Sequence, residues 1–356
     1  MQVLHQGGGA GSVSSTLHLS VGLQRAGFHV RFVCPPGSEV ETLAHGKGLE
    51  VHPLQLLSRQ RRENARRLER LLREHPVHLV NSQSSRDRGA LSWLRMKGVL
   101  PVPLVVTRRQ MPRTVFVENW LVSRLADRVV AVSGAVGEAL RRRGTSRKKL
   151  VIIPNGLITD TIDIPVPSDT LEAWKTLIGW EPTRRTIGII ARWKDQSVVL
   201  RALQRVAMPT RLVLAGVDPK LNLDHLIRQV PPRHAVVRLP FIAQIRPLYE
   251  LLELVLLPSR IEGLSQGLLE AMALRKPVIA SAAGGNLDLI RDGVDGRLAA
   301  PLDSAAWAHL IDDLLSRPAE AARLAASAWH TARETYTLGR TVERTSELYR
   351  SLLAHG

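Results

Sequence analysis

Cysteine is almost missing. Cys34 is the single one in 356 residues, which excludes an internal disulfide and with it a disulfide-built secreted scaffold. It ends the apolar run Val30 to Cys34 and reads as a packed core thiol rather than a nucleophile. Aromatic residues are scarce too, at 4%, and few lie among the basic runs, so stacking platforms for single-stranded nucleic acid are not expected. No run approaches the ~18 consecutive apolar residues of a membrane-spanning helix. Met1 to Gly9 has neither the basic nor the apolar segment of a signal peptide, and the expectation is a cytoplasmic chain in a reducing compartment. No Asp-x-Asp pair sits in a strand-end loop, and Asp312-Asp313 falls inside a helical pattern. Metal-free chemistry is therefore favoured over magnesium-dependent chemistry. His18, His29 and the other histidines lack metal-ligand spacing, so structural or surface roles are expected for them.

What the chain has in excess is positive charge, unevenly placed. Residues 1 to 160 hold 25 Lys and Arg against 11 Asp and Glu, whereas residues 161 to 356 hold 24 against 21. The runs in the first half are Arg59-Gln60-Arg61-Arg62, Arg66-Arg67, Arg108-Arg109 with Arg113, Arg141 to Arg143, and Arg147 to Lys149. Any one run reads as a solvated helix face. The asymmetry as a whole favours a polyanionic partner, an anionic membrane surface or a phosphorylated acceptor ahead of nucleic acid.

At this length two hydrophobic cores are expected rather than one. Short β-rich runs alternate with helical patterns in both halves, which implies parallel crossovers and two doubly wound sheets. Strands are expected at Gln2 to His5, Val30 to Cys34, Leu79 to Asn81, Leu104 to Thr107, Val129 to Val132 and Val151 to Ile153. The second half offers Thr186 to Ala191, Leu212 to Ala215, Val236 to Leu239, Leu254 to Leu257 and Val278 to Ala280. From Ser304 onward the pattern is helical. The expected boundaries are a first domain over 1–157, a linker rich in turn residues over 158–169, a second domain over 170–335, and a final helix over 336–356 with the option of packing back on the first domain.

The strongest local pattern is Pro258-Ser259-Arg260-Ile261-Glu262-Gly263-Leu264-Ser265-Gln266-Gly267-Leu268-Leu269-Glu270-Ala271-Met272. A buried strand ends at Pro258, a glycine-containing turn follows, and a helix opens near Ser265. Ligands of open parallel sheets bind at such strand ends. Glu262 in the turn and Glu270 in the helix keep broadly to one side. Two carboxylates so placed accept hydrogen bonds from sugar hydroxyls, while turn amides and a helix amino terminus suit a phosphate.

This segment resembles the hallmark of the family-four retaining glycosyltransferases, a Pro-Ser, Glu-Gly, Glu-Ala-Met pattern, followed here as there by Lys276-Pro277-Val278-Ile279-Ala280 and Gly284-Gly285. Val130-Ala131-Val132-Ser133 through Ile153-Pro154-Asn155-Gly156-Leu157 is similar to that family's lobe-closing segment, and Gly7-Gly8-Gly9-Ala10-Gly11 to its first glycine-rich loop. Gln266 and Asp288 depart from the family pattern. The resemblance implies a GT-B fold, α/β with two facing Rossmann-like doubly wound domains and a helical C-terminal segment. It also implies transfer of a sugar from a nucleoside diphosphate sugar, UDP or GDP, without a cofactor.

By the same resemblance Glu262 and Arg192 are the catalytic candidates. Gly8, Gly9, Arg192, Lys194, Gly263, Leu264, Ser265 and Glu270 bind the donor, with Glu262 on its sugar and Glu270 on the ribose. Arg192 and Lys194, in Arg192-Trp193-Lys194-Asp195-Gln196, stand in for a metal at the diphosphate, with Asp195 where the family has a glycine. Arg109, Asp87 and Ser133 are the acceptor-side candidates. Arg109 binds an acceptor phosphate or is a solvated strand-end arginine; Asp87 orients an acceptor hydroxyl or caps the following helix. The expected acceptor is an anionic glycan or lipid of the cell envelope, reached by peripheral association with the inner face of the cytoplasmic membrane. The rival readings are a non-hydrolysing sugar-nucleotide epimerase and a catalytically silent polyanion-binding protein.

Overall fold

Alternating aliphatic strands and amphipathic helices build two separate parallel sheets. The computed structural model describes residues 1–6, 11–112, 116–159, 162–192, 194–218, 220–242 and 244–354. The chain divides into two units, Met1–Gly156 with Thr337–Gly356, and Leu157–Tyr336.

The first unit runs β1 (Gln2–Val3), α1 (Gly11–Arg25), β2 (Arg31–Cys34), α2 (Glu39–Gly46), β3 (Glu50–Pro53), α3 (Arg61–Glu74) and β4 (Val80–Ser82). It continues through α4 (Ser85–Met96), β5 (Leu104–Arg108), α5 (Phe116–Leu125), β6 (Arg128–Ala131), α6 (Gly134–Arg142) and β7 (Leu150–Ile152). Its sheet has the order β3-β2-β1-β4-β5-β6-β7, with parallel neighbours throughout. Cys34 is buried in the core with Phe32, Leu17 and Leu4. Burial, with Glu41 adding to it, pushes its thiol up to about 12, so it is inert at neutral pH.

The second unit runs α7 (Ser168–Ile178), β8 (Arg185–Ile190), α8 (Gln196–Ala202), β9 (Thr210–Ala215), α9 (Asp224–Ile227), β10 (Ala235–Leu239) and α10 (Arg246–Leu251). Then come β11 (Leu254–Leu257), α11 (Gln266–Ala273), β12 (Val278–Ser281), α12 (Asn286–Leu289), β13 (Arg297–Ala299), α13 (Ser304–Ser316) and α14 (Pro318–Thr335). The sheet order is β10-β9-β8-β11-β12-β13. At Gly188 in β8 a Cβ would lie 2.5 Å from the Leu252 side chain, so only glycine lets that chain pack across the strand.

The last helix, α15 (Leu338–Leu353), belongs to the first unit. It lies against α1, where Gly22 leaves room for Val342, and a Cβ at that glycine would come within 2.3 Å of the valine. Tyr349 meets the Phe28 ring edge-on at 6.0 Å, and its hydroxyl accepts hydrogen bonds from Gln2 Nε2 at 3.0 Å and Asn81 Nδ2 at 2.6 Å.

Two strands escape sequence reasoning, β3 and β13, and both are sheet edges. An edge strand is covered on fewer sides, and Glu50-Val51-His52-Pro53 and Arg297-Leu298-Ala299 show neither a continuous apolar run nor a clean alternation.

Candidate functional site

In a doubly wound sheet the loops leaving adjacent strands diverge where the strand order reverses, and a ligand fits there. In the second sheet that reversal falls between β8 and β11, which pair directly. The loop after β8 carries Arg192, Lys194 and Asp195, and the loop after β11 carries Pro258 to Ser265. Two ion pairs stitch these loops together. Lys194 Nζ lies 2.5 Å from Glu262 Oε2, with both side chains largely covered. The Asp195 carboxylate accepts from the backbone N, Nε and Nη2 of Arg260, each at 3.1 Å. The Asp195 backbone N–H donates to the Pro258 carbonyl at 2.9 Å. Asp195, where the family pattern has glycine, thus fixes the turn that presents Glu262. Sequence spacing does not single out Arg260, because its partner Asp195 lies in a loop distant along the chain.

The turn is also held from below. Gly285 N–H donates to the Glu262 carbonyl at 2.9 Å. A Cβ at Gly285 would fall 1.8 Å from the Gly263 carbonyl oxygen, and Gly284 has φ +55° with the Glu262 carbonyl 2.6 Å from where its Cβ would stand. The paired glycines are therefore a steric requirement of the Glu262-Gly263 turn. Leu264 is buried beneath it. Ser265 caps α11, its hydroxyl accepting from the Leu268 backbone N–H at 3.2 Å.

Glu270 sits in α11 beside the fully buried Tyr249 of α10, whose hydroxyl lies 3.2 Å from Glu270 Oε2 and 3.0 Å from the Gly267 carbonyl. Burial raises the Glu270 carboxyl to about 6, against the opposing hydrogen bond from Tyr249. Tyr249 is a second residue that the sequence reading missed. Arg192 is exposed at the end of β8, with its guanidinium 5.8 Å from the Phe241 ring centroid. No carboxylate pairs with it among the described residues. The geometry therefore brings Glu262 together with Lys194 rather than with Arg192.

The first unit treats its candidates differently. Gly8 and Gly9 lie outside the described residues. Arg108 is the last residue of β5, and Arg109 follows it. Arg108 is buried and donates to Asn119 Oδ1 at 3.0 Å. Arg109 is not the solvated strand-end arginine expected as one alternative. Its guanidinium turns inward, donating to Gln83 Oε1 at 3.1 Å and to Asn155 Oδ1, and burial brings it down to about 10 with Tyr349 opposing. Asp87 is fully buried and takes the helix-capping role, accepting from the backbone N–H groups of Gln83 at 2.9 Å and Ser84 at 3.0 Å. Burial raises it to about 6 despite those hydrogen bonds. Ser133 is buried at the start of α6, where its hydroxyl accepts from the Val136 N–H at 3.2 Å. Hydrogen bonds within the unit thus already engage all three acceptor-side candidates.

A parallel sheet whose strand order reverses between β8 and β11, with cations and two carboxylates on the segments that follow, marks a doubly wound α/β protein. Two family models match in turn, Glycosyltransferase Family 4 over residues 9–161 and Glycosyl transferases group 1 over residues 183–317. The chain belongs to the family-four glycosyltransferases. It is 29% identical to the D-inositol 3-phosphate glycosyltransferase of Xylanimonas cellulosilytica over 222 residues, 57% of this chain and 53% of that one. The chain thus spans about half the length of that relative. It is 26% identical to the lipopolysaccharide core biosynthesis mannosyltransferase LpcC of Rhizobium leguminosarum bv. viciae over 268 residues, 71% of this chain and 72% of the relative. Among solved structures, Anabaena Alr3699/HepE in complex with UDP superposes with a TM-score of 0.84 over 98% of this chain and 99% of that one, at 19% identity. The fold is that of the GT-B glycosyltransferases.

Proposed function

We propose that this protein transfers a glycosyl group from a nucleoside diphosphate sugar to a hydroxyl of an anionic cell-envelope acceptor, with retention of anomeric configuration. The observation that carries this reading is the Lys194 and Glu262 pair at the reversal point of the second sheet, with Glu270 in the helix that follows. A departing diphosphate needs its charge neutralised. Lys194 and the exposed Arg192 supply two cations, and the capped start of α11 supplies oriented amides. Glu262 accepts hydrogen bonds from the donor sugar, and Glu270 from the ribose. The mannosyltransferase name of one relative and the UDP-glucose bound in a solved HepE structure support a nucleotide sugar as donor.

UDP or GDP, without added metal, should raise the melting temperature of the full chain. Donor hydrolysis over a panel of nucleoside diphosphate sugars then identifies the base and sugar. No shift with any nucleoside diphosphate at millimolar concentration sinks the donor site, and conversion of UDP-GlcNAc without an acceptor favours the epimerase reading.

The basic first unit supports peripheral binding to anionic membrane. On α3, Arg61, Arg62 and Arg66 are exposed, Arg66 reaching Glu63 at 3.8 Å, and Arg67 and Arg73 pair with Glu63 and Glu69. On α5, Phe116, Val117 and Trp120 are exposed, and the Arg124 guanidinium lies 5.9 Å from the Trp120 ring. No helix among the described residues is long and apolar enough to cross a membrane. Each basic residue near an anionic surface contributes about 1 kcal/mol. Charge reversal of Arg61, Arg62, Arg66 and Arg67 should therefore lower flotation with anionic vesicles by two orders of magnitude or more. Binding should also vanish in 1 M salt, where screening acts over roughly 3 Å. Flotation that ignores lipid charge overturns this part of the reading.

A further inference from the structure

The edge strand β3 carries Glu50 and His52 two residues apart, which places them on one face of the sheet. Above that face α3 ends at His75, whose backbone N–H closes the last turn onto the Leu71 carbonyl at 2.9 Å. The two imidazoles stack at 4.1 Å between centroids, tilted by 50°. His52 Nε2 lies 2.8 Å from Glu50 Oε1. One donor atom each from Glu50, His52 and His75 lie within 4.8 Å of one another, and this is the only such group of three among the described residues. His75 is too far along the chain from Glu50 and His52 for a ligand spacing to show in the sequence. Two segments that are separate along the chain, β3 and the end of α3, meet here, with β2 alongside β3.

We infer that Glu50, His52 and His75 form a binding site for a late first-row divalent cation, with zinc as the test ion. Two imidazole nitrogens and one carboxylate oxygen are the donor set that such ions take in four-coordinate sites, leaving a position for water. Metal to ligand distances of about 2.0 to 2.2 Å put tetrahedral ligands about 3.3 to 3.6 Å apart. Small side-chain rotations on a partly exposed surface reach that geometry, the 2.8 Å contact of His52 with Glu50 opening and the wider separations, up to 4.8 Å, closing. The carboxylate is already oriented from outside: Arg31 Nε donates to Glu50 Oε1 at 2.9 Å, and Arg31 Nη1 anchors on the Pro76 carbonyl at 2.6 Å. Such outer partners fix a ligand's direction. His29 Nε2, 2.5 Å from Glu50 Oε2, stands where a fourth nitrogen is available. A bound ion would clamp the edge strand, the start of β2 and the end of α3 to one another. This gives the site a structural role in the first unit, separate from the nucleotide chemistry of the second.

The test uses the full chain, stripped with chelator and dialysed, then titrated with zinc chloride by calorimetry. Cobalt is the spectroscopic probe for a tetrahedral field. One zinc per chain should bind with micromolar affinity and raise the melting temperature. His52→Ala and His75→Gln should each weaken binding at least tenfold, and His29→Ala should report whether the fourth nitrogen joins. His75→Gln, at a helix end, keeps the test usable if His52→Ala does not fold. The shift caused by UDP should be the same in these variants as in the parent chain. Zinc binding weaker than about 100 μM, or binding unchanged when both histidines are replaced, overturns the site.

Discussion

Glu262→Ala should lower the rate of donor turnover by about a hundredfold or more, while UDP affinity stays within a few-fold of the parent chain. Removing one preorganised electrostatic partner at a reacting centre typically has that effect, equal to roughly 3 kcal/mol in the barrier. In the structure Glu262 is held on three sides, by Lys194 through its side chain, by Gly285 through its carbonyl, and by the Asp195 and Arg260 pair through its turn. A diphosphate arriving at Lys194 competes with the Glu262 carboxylate for the same ammonium, which couples the two residues. The double variant Glu262→Ala, Lys194→Ala should therefore be far less impaired than the product of the single effects. Hydrolysis of the preferred donor, followed as released nucleotide, measures all three. Independent, multiplicative losses would show that the pair is a surface ion pair and nothing more.

Glu270→Ala should weaken nucleotide binding by ten to a hundredfold, as expected when a carboxylate loses hydrogen bonds from the ligand. The pH dependence carries a second signature. Burial holds the Glu270 carboxyl at about 6, above its ordinary value of 4.5. The folded chain thus holds this proton more tightly than the unfolded chain. The associated stability is present below the ordinary value and is lost as pH rises through about 6, a change of about 2 kcal/mol. Asp87, also raised to about 6 by burial, acts in the same direction, so Glu270→Gln should remove only part of the decline. Ribose hydroxyls that donate to the ionised carboxylate favour that form, so affinity should fall as pH is lowered through 6. UDP-glucose is the suitable probe, because its diphosphate does not titrate there. A flat affinity profile, or one unchanged in Glu270→Gln, argues against contact with the ribose.

The segment proposed to hold the donor is readable in the sequence because its features are local. Strand end, turn, Ser265 cap and Glu270 follow within one segment, and each has a composition that announces it. The pairing of Lys194 with Glu262 and of Asp195 with Arg260 is not local: it exists because β8 and β11 are neighbours, a matter of topology rather than spacing. Arg109 shows the opposite difficulty. A strand-end arginine looks like a ligand for phosphate, but the amides of Gln83 and Asn155 turn it inward. Asp87 offered capping or catalysis equally from sequence, and the N–H groups of Gln83 and Ser84 engage it as a cap. The edge strands β3 and β13 stayed hidden because half-exposed edges do not need the apolar runs that mark interior strands.

The docking of α15 on α1 bears on the order in which the protein is made. Residues 337–356 complete the first unit, yet a ribosome delivers them only after all of the second. Until then Gly22 of α1 and Phe28, just beyond that helix, lack the cover of α15, and the amides of Gln2 and Asn81 lack the Tyr349 hydroxyl. Domains otherwise tend to finish folding in the order of synthesis. Here the first unit has to wait, with an open apolar groove, while the second folds. A fragment ending at residue 156 would reproduce that waiting state, and isolating the first unit as a stable piece requires joining 337–356 to it by a linker that replaces the second unit.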